Sequence, residues 1–202
     1  MSLITCSGCG LPDTYCACNT ACCGPLSCQV VLLLHENEPL RPSNTSRLIQ
    51  QLLPETLAFI WQRKEAPQAL VDMIQSEDYQ PWLLFPADRP DLQTRARDYR
   101  PQAGKTPLII VPDGTWKEVR KIVRKSPWLA SVPLLAIEPK APSRYTLRRN
   151  PDADHLCTAE TVAEVFRDLN EPVAAEKLAQ QLDRFLHRYQ AWKANHPVHL
   201  SD

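Results

Sequence analysis

The chain has 202 residues, 44% of them hydrophobic, and its 23 basic side chains balance 23 acidic ones. That is enough chain and apolar content for one ordinary domain with a real core, and the balanced charge excludes a global field that would draw it to nucleic acid. Residues 1–7 carry neither a charged start nor an apolar run, and no apolar stretch reaches the roughly 20 residues of a membrane span. A cytosolic protein with no membrane association is therefore expected.

Seven of the eight cysteines lie within the first 28 residues, and Cys6, Cys9, Cys16 and Cys18 form Cys-x2-Cys-x6-Cys-x-Cys. In a reducing compartment, closely spaced thiolate pairs read as a metal cage rather than a disulfide framework. Residues 1–28 are thus expected to be a small zinc-binding element, followed by the main domain over 29–202. An iron-sulfur cluster uses the same ligands, and Cys22, Cys23 or Cys28 could replace one of the four.

Residues 30–34 are a continuous apolar run, which reads as a strand buried on both faces. The polar segment that follows, 35–45, holds His35, Glu38, Arg41, Asn44 and Thr45, with a helix expected over 43–53. Further strands are expected at 57–61, 82–85, 108–111 and 134–137, and further helices at 66–75, 115–125, 158–169 and 173–194. This alternation predicts an α/β domain with a mostly parallel sheet flanked by helices.

Pro112, Asp113 and Gly114 read as a sharp turn ending the fourth strand, with Thr115 and Trp116 opening the next helix. That helix places Val119, Ile122 and Val123 on an apolar face and Lys117, Arg120, Lys121, Arg124 and Lys125 largely on the other. Arg144, Arg148 and Arg149 form a second basic group, and Arg95, Arg97 and Arg100 a third. One charge run is ordinarily a solvated face; three raise the expectation of an anionic partner. The segment 155–161 opens a helix at Leu156, Cys157, Thr158 and Glu160, where free N–H groups and a positive dipole end are available. Cys157, alone beside Leu156, reads as packed rather than nucleophilic.

Only five glycines are present, and neither Gly-x-Gly-x-x-Gly nor Gly-x-x-x-x-Gly-Lys-Ser/Thr can be assembled. Nucleotide-binding P-loop and Rossmann readings fall away. Each polar segment also has a plain reading: Ser43, Asn44 and Thr158 as helix caps, Arg41 as a surface charge, Asp113 as a turn residue.

The cysteine pattern, the HxxExxRPSNT run from His35 to Thr45, Asp-x-Thr-Trp at 113–116 and Leu-x-Thr-x-Glu from Leu156 together resemble the DTW-domain family of tRNA-uridine aminocarboxypropyltransferases over residues 6–190. The resemblance implies a relative of the knotted SPOUT-type fold. It also implies S-adenosylmethionine as donor, and transfer of its 3-amino-3-carboxypropyl group to N3 of a uridine in the tRNA variable loop. Small residues are frequent in the family where Cys157 stands, and Cys22, Cys23 and Cys28 lie outside its pattern. Under this resemblance Asp113 is the expected general base, and a carboxylate shielded from water beside Trp116 is a stronger one. Pro112 to Trp116 with Leu156, Cys157, Thr158 and Glu160 are expected to hold the donor. His35, Glu38, Arg41, Asn44 and Thr45 are expected to contact donor carboxylate or RNA, and the basic helix face with Arg144 and Arg148 to follow the tRNA backbone. No obligate protein partner is expected. The rival readings are an RNA methyltransferase using the same donor and a non-catalytic zinc-containing RNA-binding module; a zinc hydrolase would need an open metal position that four thiolates do not leave.

Overall fold

The computed structural model describes residues 4–18, 22–135, 137, 142–147 and 156–198. In chain order its strands are β1 (Gln29–Leu34), β2 (Leu57–Ile60), β3 (Tyr79–Leu84), β4 (Thr106–Asp113) and β5 (Leu134–Leu135). Its helices are α1 (Ser46–Leu52), α2 (Gln68–Gln75), α3 (Pro90–Gln93), α4 (Trp116–Lys125), α5 (Thr158–Asp168) and α6 (Pro172–Ala194). By its internal contacts the chain divides into two units: Pro25–Pro39 with Glu55–Glu138, and Met1–Gly24 with Leu40–Pro54 and Pro139–Asp202.

The first unit is built on a five-stranded sheet in the order β2-β1-β4-β3-β5. Every pairing is parallel, as the continuous apolar runs predict. Val31 and Leu33 of β1, Leu83 of β3 and Leu108 and Ile110 of β4 form one buried cluster with Leu70 of α2 and Val119 and Ile122 of α4. Those helix residues are the apolar stripes of two amphipathic helices, and burying them fixes which way each helix is turned. The opposite faces of β1 and β4 are buried too, at Val30, Leu32, Ile109 and Val111.

Two differences from the sequence reading have simple causes. β2 is not buried throughout, because it is an edge strand: Leu57 and Ile60 are each more than 40% exposed. The proline-containing turn at 112–114 is shorter than expected, because β4 runs on through Pro112 and Asp113 in register with Leu33 and Leu34. The His35 N–H donates to the Asp113 carbonyl at 2.9 Å, so residue 113 faces β1 and residue 112 faces the other side. There the pairing with β3 has already stopped at Ile110, and a proline at 112 leaves no ladder bond unmade. Of the expected 134–137 run, Leu134 and Leu135 are strand, and residue 136 lies outside the described residues.

The second unit is helical. α5 and α6 pack on each other, and α1 packs on both. Leu48, Ile49, Val162, Phe166, Leu178, Leu182 and Phe185 are buried there. Pro172 occupies the first turn of α6, where no N–H is missed, and Asn195 ends the helix in the left-handed conformation at φ 54°. The cysteine-rich start belongs to this unit. Among the described residues no helix is long and apolar enough to cross a membrane.

Candidate functional site

The carboxyl ends of parallel strands share one edge of a sheet, and here that edge gathers Trp61 after β2, His35 after β1 and Asp113 at the end of β4. Trp61 N–H donates to the Leu34 carbonyl at 2.7 Å, and the His35 and Trp61 rings stack with centroids 6.0 Å apart. Trp61 is anchored from behind by its indole N–H on the Ser126 hydroxyl at 2.8 Å, and Lys121 Nζ lies 5.5 Å over its ring. Asp113, His35 and Glu38 are all buried, at 4%, 4% and 6% exposure. Buried polar groups of this kind persist only where something holds them.

For His35 the holding group is Glu118. Thr115 is the N-cap of α4, and Glu118, three residues on, completes a capping box. Its Oε2 accepts from the Thr115 N–H and hydroxyl, both at 2.8 Å. Its Oε1 lies 3.4 Å from both Asn37 Nδ2 and His35 Nδ1. One carboxylate therefore ties the turn after β4 to the loop after β1. Gly114 is the residue that lets them approach: a Cβ there would meet Glu118 Cβ at 3.0 Å and His35 Cβ at 3.3 Å. Trp116 is partly buried against the sheet's apolar cluster.

The helical unit repeats the device. Cys157 is the N-cap of α5, and Glu160 Oε2 accepts from the Cys157 N–H and the Ser143 hydroxyl, both at 2.7 Å. Its Oε1 accepts from the Arg144 N–H at 2.6 Å. Thr45 Oγ1 accepts from the Ala159 N–H at 3.3 Å, and Asn44 Oδ1 accepts from the Ser46 N–H and hydroxyl at 2.7 and 2.6 Å. Asn44, Thr45, Cys157, Thr158 and Glu160 are thereby assembled around the start of α5. Leu156 and Arg41 are half-buried in the same unit. The Cys157 thiol is buried, and burial with the Glu160 carboxylate nearby pushes its pKa far up, so it stays neutral.

Cys6, Cys9, Cys16 and Cys18 meet in the helical unit, with all four sulfurs within 4.8 Å of one another. Cys6 Sγ is 3.4 Å from both Cys18 and Cys16 Sγ, and Cys9 Sγ is 4.0 Å from Cys16 Sγ. Four thiolates about 2.3 Å from a central ion stand roughly 3.8 Å apart at the corners of a tetrahedron, so the set fits a metal ion. Cys22 Sγ lies 3.6 Å from the Gln51 carbonyl and the Cys23 backbone N–H donates to the Leu52 carbonyl, both at the end of α1, and Cys28 directly precedes β1. Burial alone would raise the Cys6 thiol, but the Cys9 and Gly8 N–H groups and its neighbours' thiols bring it down to about 7. Burial and the charge of neighbouring sulfurs push Cys16 and Cys18 up. A cation bound among the four sulfurs would favour their thiolate form.

The basic residues divide. Arg120 pairs with Asp88 at 2.5 Å and Arg144 with Asp183 at 2.9 Å, while Lys117, Arg124 and Lys125 are exposed on α4. Arg95 donates to the Leu129 and Val132 carbonyls and so serves the fold. Arg148, Arg149 and His155 lie outside the described residues.

The family model described as the DTW domain matches residues 3–190, nearly the whole chain. The chain belongs to the DTW-domain family. A curated relative, tRNA-uridine aminocarboxypropyltransferase 2 of Drosophila melanogaster, is 27% identical over 186 residues, covering 90% of this chain and 72% of the relative. No solved structure matches. Asp113, Thr115 and Trp116 fall here on a strand end, an N-cap and the first helical residue.

Two residues of this DTW chain were missed by the sequence reading. Glu118 had a readable signal, standing three residues after its N-cap Thr115 in the pattern of a capping box. Trp61 had only the weaker one of an aromatic residue closing a strand run.

Proposed function

We propose that this protein transfers the 3-amino-3-carboxypropyl group of S-adenosylmethionine to N3 of a uridine in the tRNA variable loop, in the cytoplasm. The observation that carries this reading is the relative named for aminocarboxypropyl transfer to tRNA uridine, aligned over 90% of the chain. The parallel sheet is compatible with the SPOUT-type relationship that the family implies.

In this reading Asp113 takes the proton from uracil N3 as that nitrogen attacks the donor's Cγ. The N3–Cγ bond forms, the Cγ–S bond breaks, and the sulfur leaves with its electron pair as neutral methylthioadenosine. Support comes from a carboxylate that is buried at the carboxyl edge of a parallel sheet, where open α/β folds place their ligands. Glu118 is a positioning residue, because its oxygens face Thr115, Asn37 and His35. Three carbons of the sulfonium are electrophilic, so orientation selects the product. Pro112 to Trp116 and Leu156 to Glu160 are the proposed donor contacts. Arg41, with His35, Glu38, Asn44 and Thr45, is proposed to meet the donor carboxylate or an RNA phosphate. The exposed lysines and arginines of α4, with Arg144 and Arg148, are the proposed track for the tRNA backbone. Zinc is the proposed ion of the four-cysteine cage, where a closed thiolate set has a structural role.

The test uses donor labelled separately in the methyl group and in the carboxyl carbon, incubated with tRNA and the purified chain. Carboxyl label on the tRNA with release of methylthioadenosine is expected. Methyl label on the tRNA, or none, would overturn the reading.

A further inference from the structure

Metal-bound thiolates carry excess negative charge, and N–H donors around them set how firmly the ion is held. Three of the four sulfurs here have backbone donors: Gly8 and Cys9 N–H for Cys6, Ala17 N–H for Cys9 at 3.4 Å, and Cys18 N–H for Cys16 at 3.5 Å. Beside Cys18 a side-chain amide comes close from α1. A Cβ at Gly8 would lie 2.7 Å from Cys18 Sγ and 3.2 Å from Gln51 Nε2, so sulfur and amide both border the space that the glycine leaves. Gln51 Nε2 is fully buried and has no hydrogen-bond partner. An amide N–H2 left so in a protein interior is costly unless something accepts from it. Its direction is fixed, because the other end of the amide, Oε1, accepts from Gln181 Nε2 of α6 at 2.5 Å, and Gln181 is itself buried. One turn earlier on α1, the Arg47 guanidinium lies 3.2–3.3 Å from where a Cβ on Gly10 would stand, and Gly10 has φ +78°. Residues four apart share a helix face, so Arg47 and Gln51 together present a cation and a donor to the cysteine loop.

We propose that Gln51 is the outer-sphere donor to the Cys18 sulfur of the loaded cage, and that through Gln181 it couples metal binding to the seating of α1 on α6. The coupling matters because the N-cap of α1, Thr45, accepts from the first turn of α5. Loading the cage then steadies the segment that carries Asn44 and Thr45. The inference stands on the cage geometry and is independent of the transferase reading.

The test uses the full-length chain and cobalt(II) or zinc alone, with competition against a chelator. Gln51→Leu keeps the side chain's bulk and removes the donor, and is expected to weaken metal affinity about 10–100-fold and to speed release. Gln51→Glu should weaken it at least as much, by placing a carboxylate against thiolates. Gln181→Leu, which frees the amide to rotate, should give a smaller loss. The wild-type chain supplies a readout that needs no variant: the Gln51 side-chain amide resonance should move when the metal is added. Amide exchange in α1 should slow on loading. An unmoved Gln51 resonance, or variants that hold metal within twofold of wild type, would overturn the proposal.

Discussion

Glu118 and Glu160 stand at the same place, the third residue of a helix that follows a motif turn, and each folds back on its N-cap while reaching a second segment. What differs is the cap and the group behind it. At α4 the cap is the exposed hydroxyl of Thr115, next to a buried carboxylate. At α5 it is the buried thiol of Cys157, held neutral. Capping geometry therefore does not mark chemistry by itself: the first entrance offers an oxygen base at a sheet edge, the second a closed joint that fixes backbone N–H groups.

The sharpest way to break that comparison is to disable both entrances in turn. Asp113→Asn keeps volume and hydrogen bonding but removes the basic group, so transfer should fall about 10²–10⁴-fold with circular dichroism and donor binding retained. Cys157→Ser exchanges one small cap for a better one and should leave the rate within a few fold. Single-turnover assays on both variants check this. Near-normal turnover by Asp113→Asn, or a larger loss in Cys157→Ser, would reverse the assignment.

The same two regions show what could be read from residues alone. β1 and β4 were legible because burial on both faces demands unbroken apolar runs, and the cysteine pairs because four thiolates need short spacings. The extension of β4 through Pro112 was not legible, since proline reads as a strand breaker unless one knows that β3 has stopped pairing at Ile110. Nor was the split of the 35–45 run, which puts His35 and Glu38 in the sheet unit and Arg41, Asn44 and Thr45 in the helical one. That division depends on which residues each part packs against, and sequence adjacency hides it. The basic clusters were visible as charge, but not that Asp88 and Asp183 already answer Arg120 and Arg144.

Those pairings sharpen the comparison at the level of RNA binding. A cation already neutralised by a carboxylate releases fewer counterions on meeting a phosphate. Arg124→Ala with Lys125→Ala should weaken tRNA binding severalfold at low salt and lower the slope of log affinity against log salt by roughly one to two. Removing Arg120 together with Asp88 leaves net charge unchanged and should alter the slope far less. Titrations at several salt concentrations decide it, and equal effects of the two double variants would remove α4 from the proposed RNA track.

The smallest expected effect separates the two glutamates themselves. A glutamine has one acceptor oxygen, so in Glu160→Gln its N–H2 must face either the Cys157 N–H or the Arg144 N–H, and neither backbone donor can turn away. A charge-assisted hydrogen bond to a part-buried or exposed backbone donor is then lost, which costs about 1–2 kcal/mol in denaturant unfolding. In Glu118→Gln the oxygen can stay on Thr115 while the N–H2 faces Asn37 and His35. Both of those can adapt, Asn37 by rotating its amide and His35 by accepting at Nδ1, as it does from the Asn37 N–H at 3.5 Å. The expected loss is only about 0.5–1 kcal/mol, from the missing charge at the helix start. Its signature should instead be a change in the His35 ring nitrogen shifts. If Glu118→Gln destabilised the chain as much as Glu160→Gln and left the His35 ring unchanged, Glu118 would be a cap and nothing more.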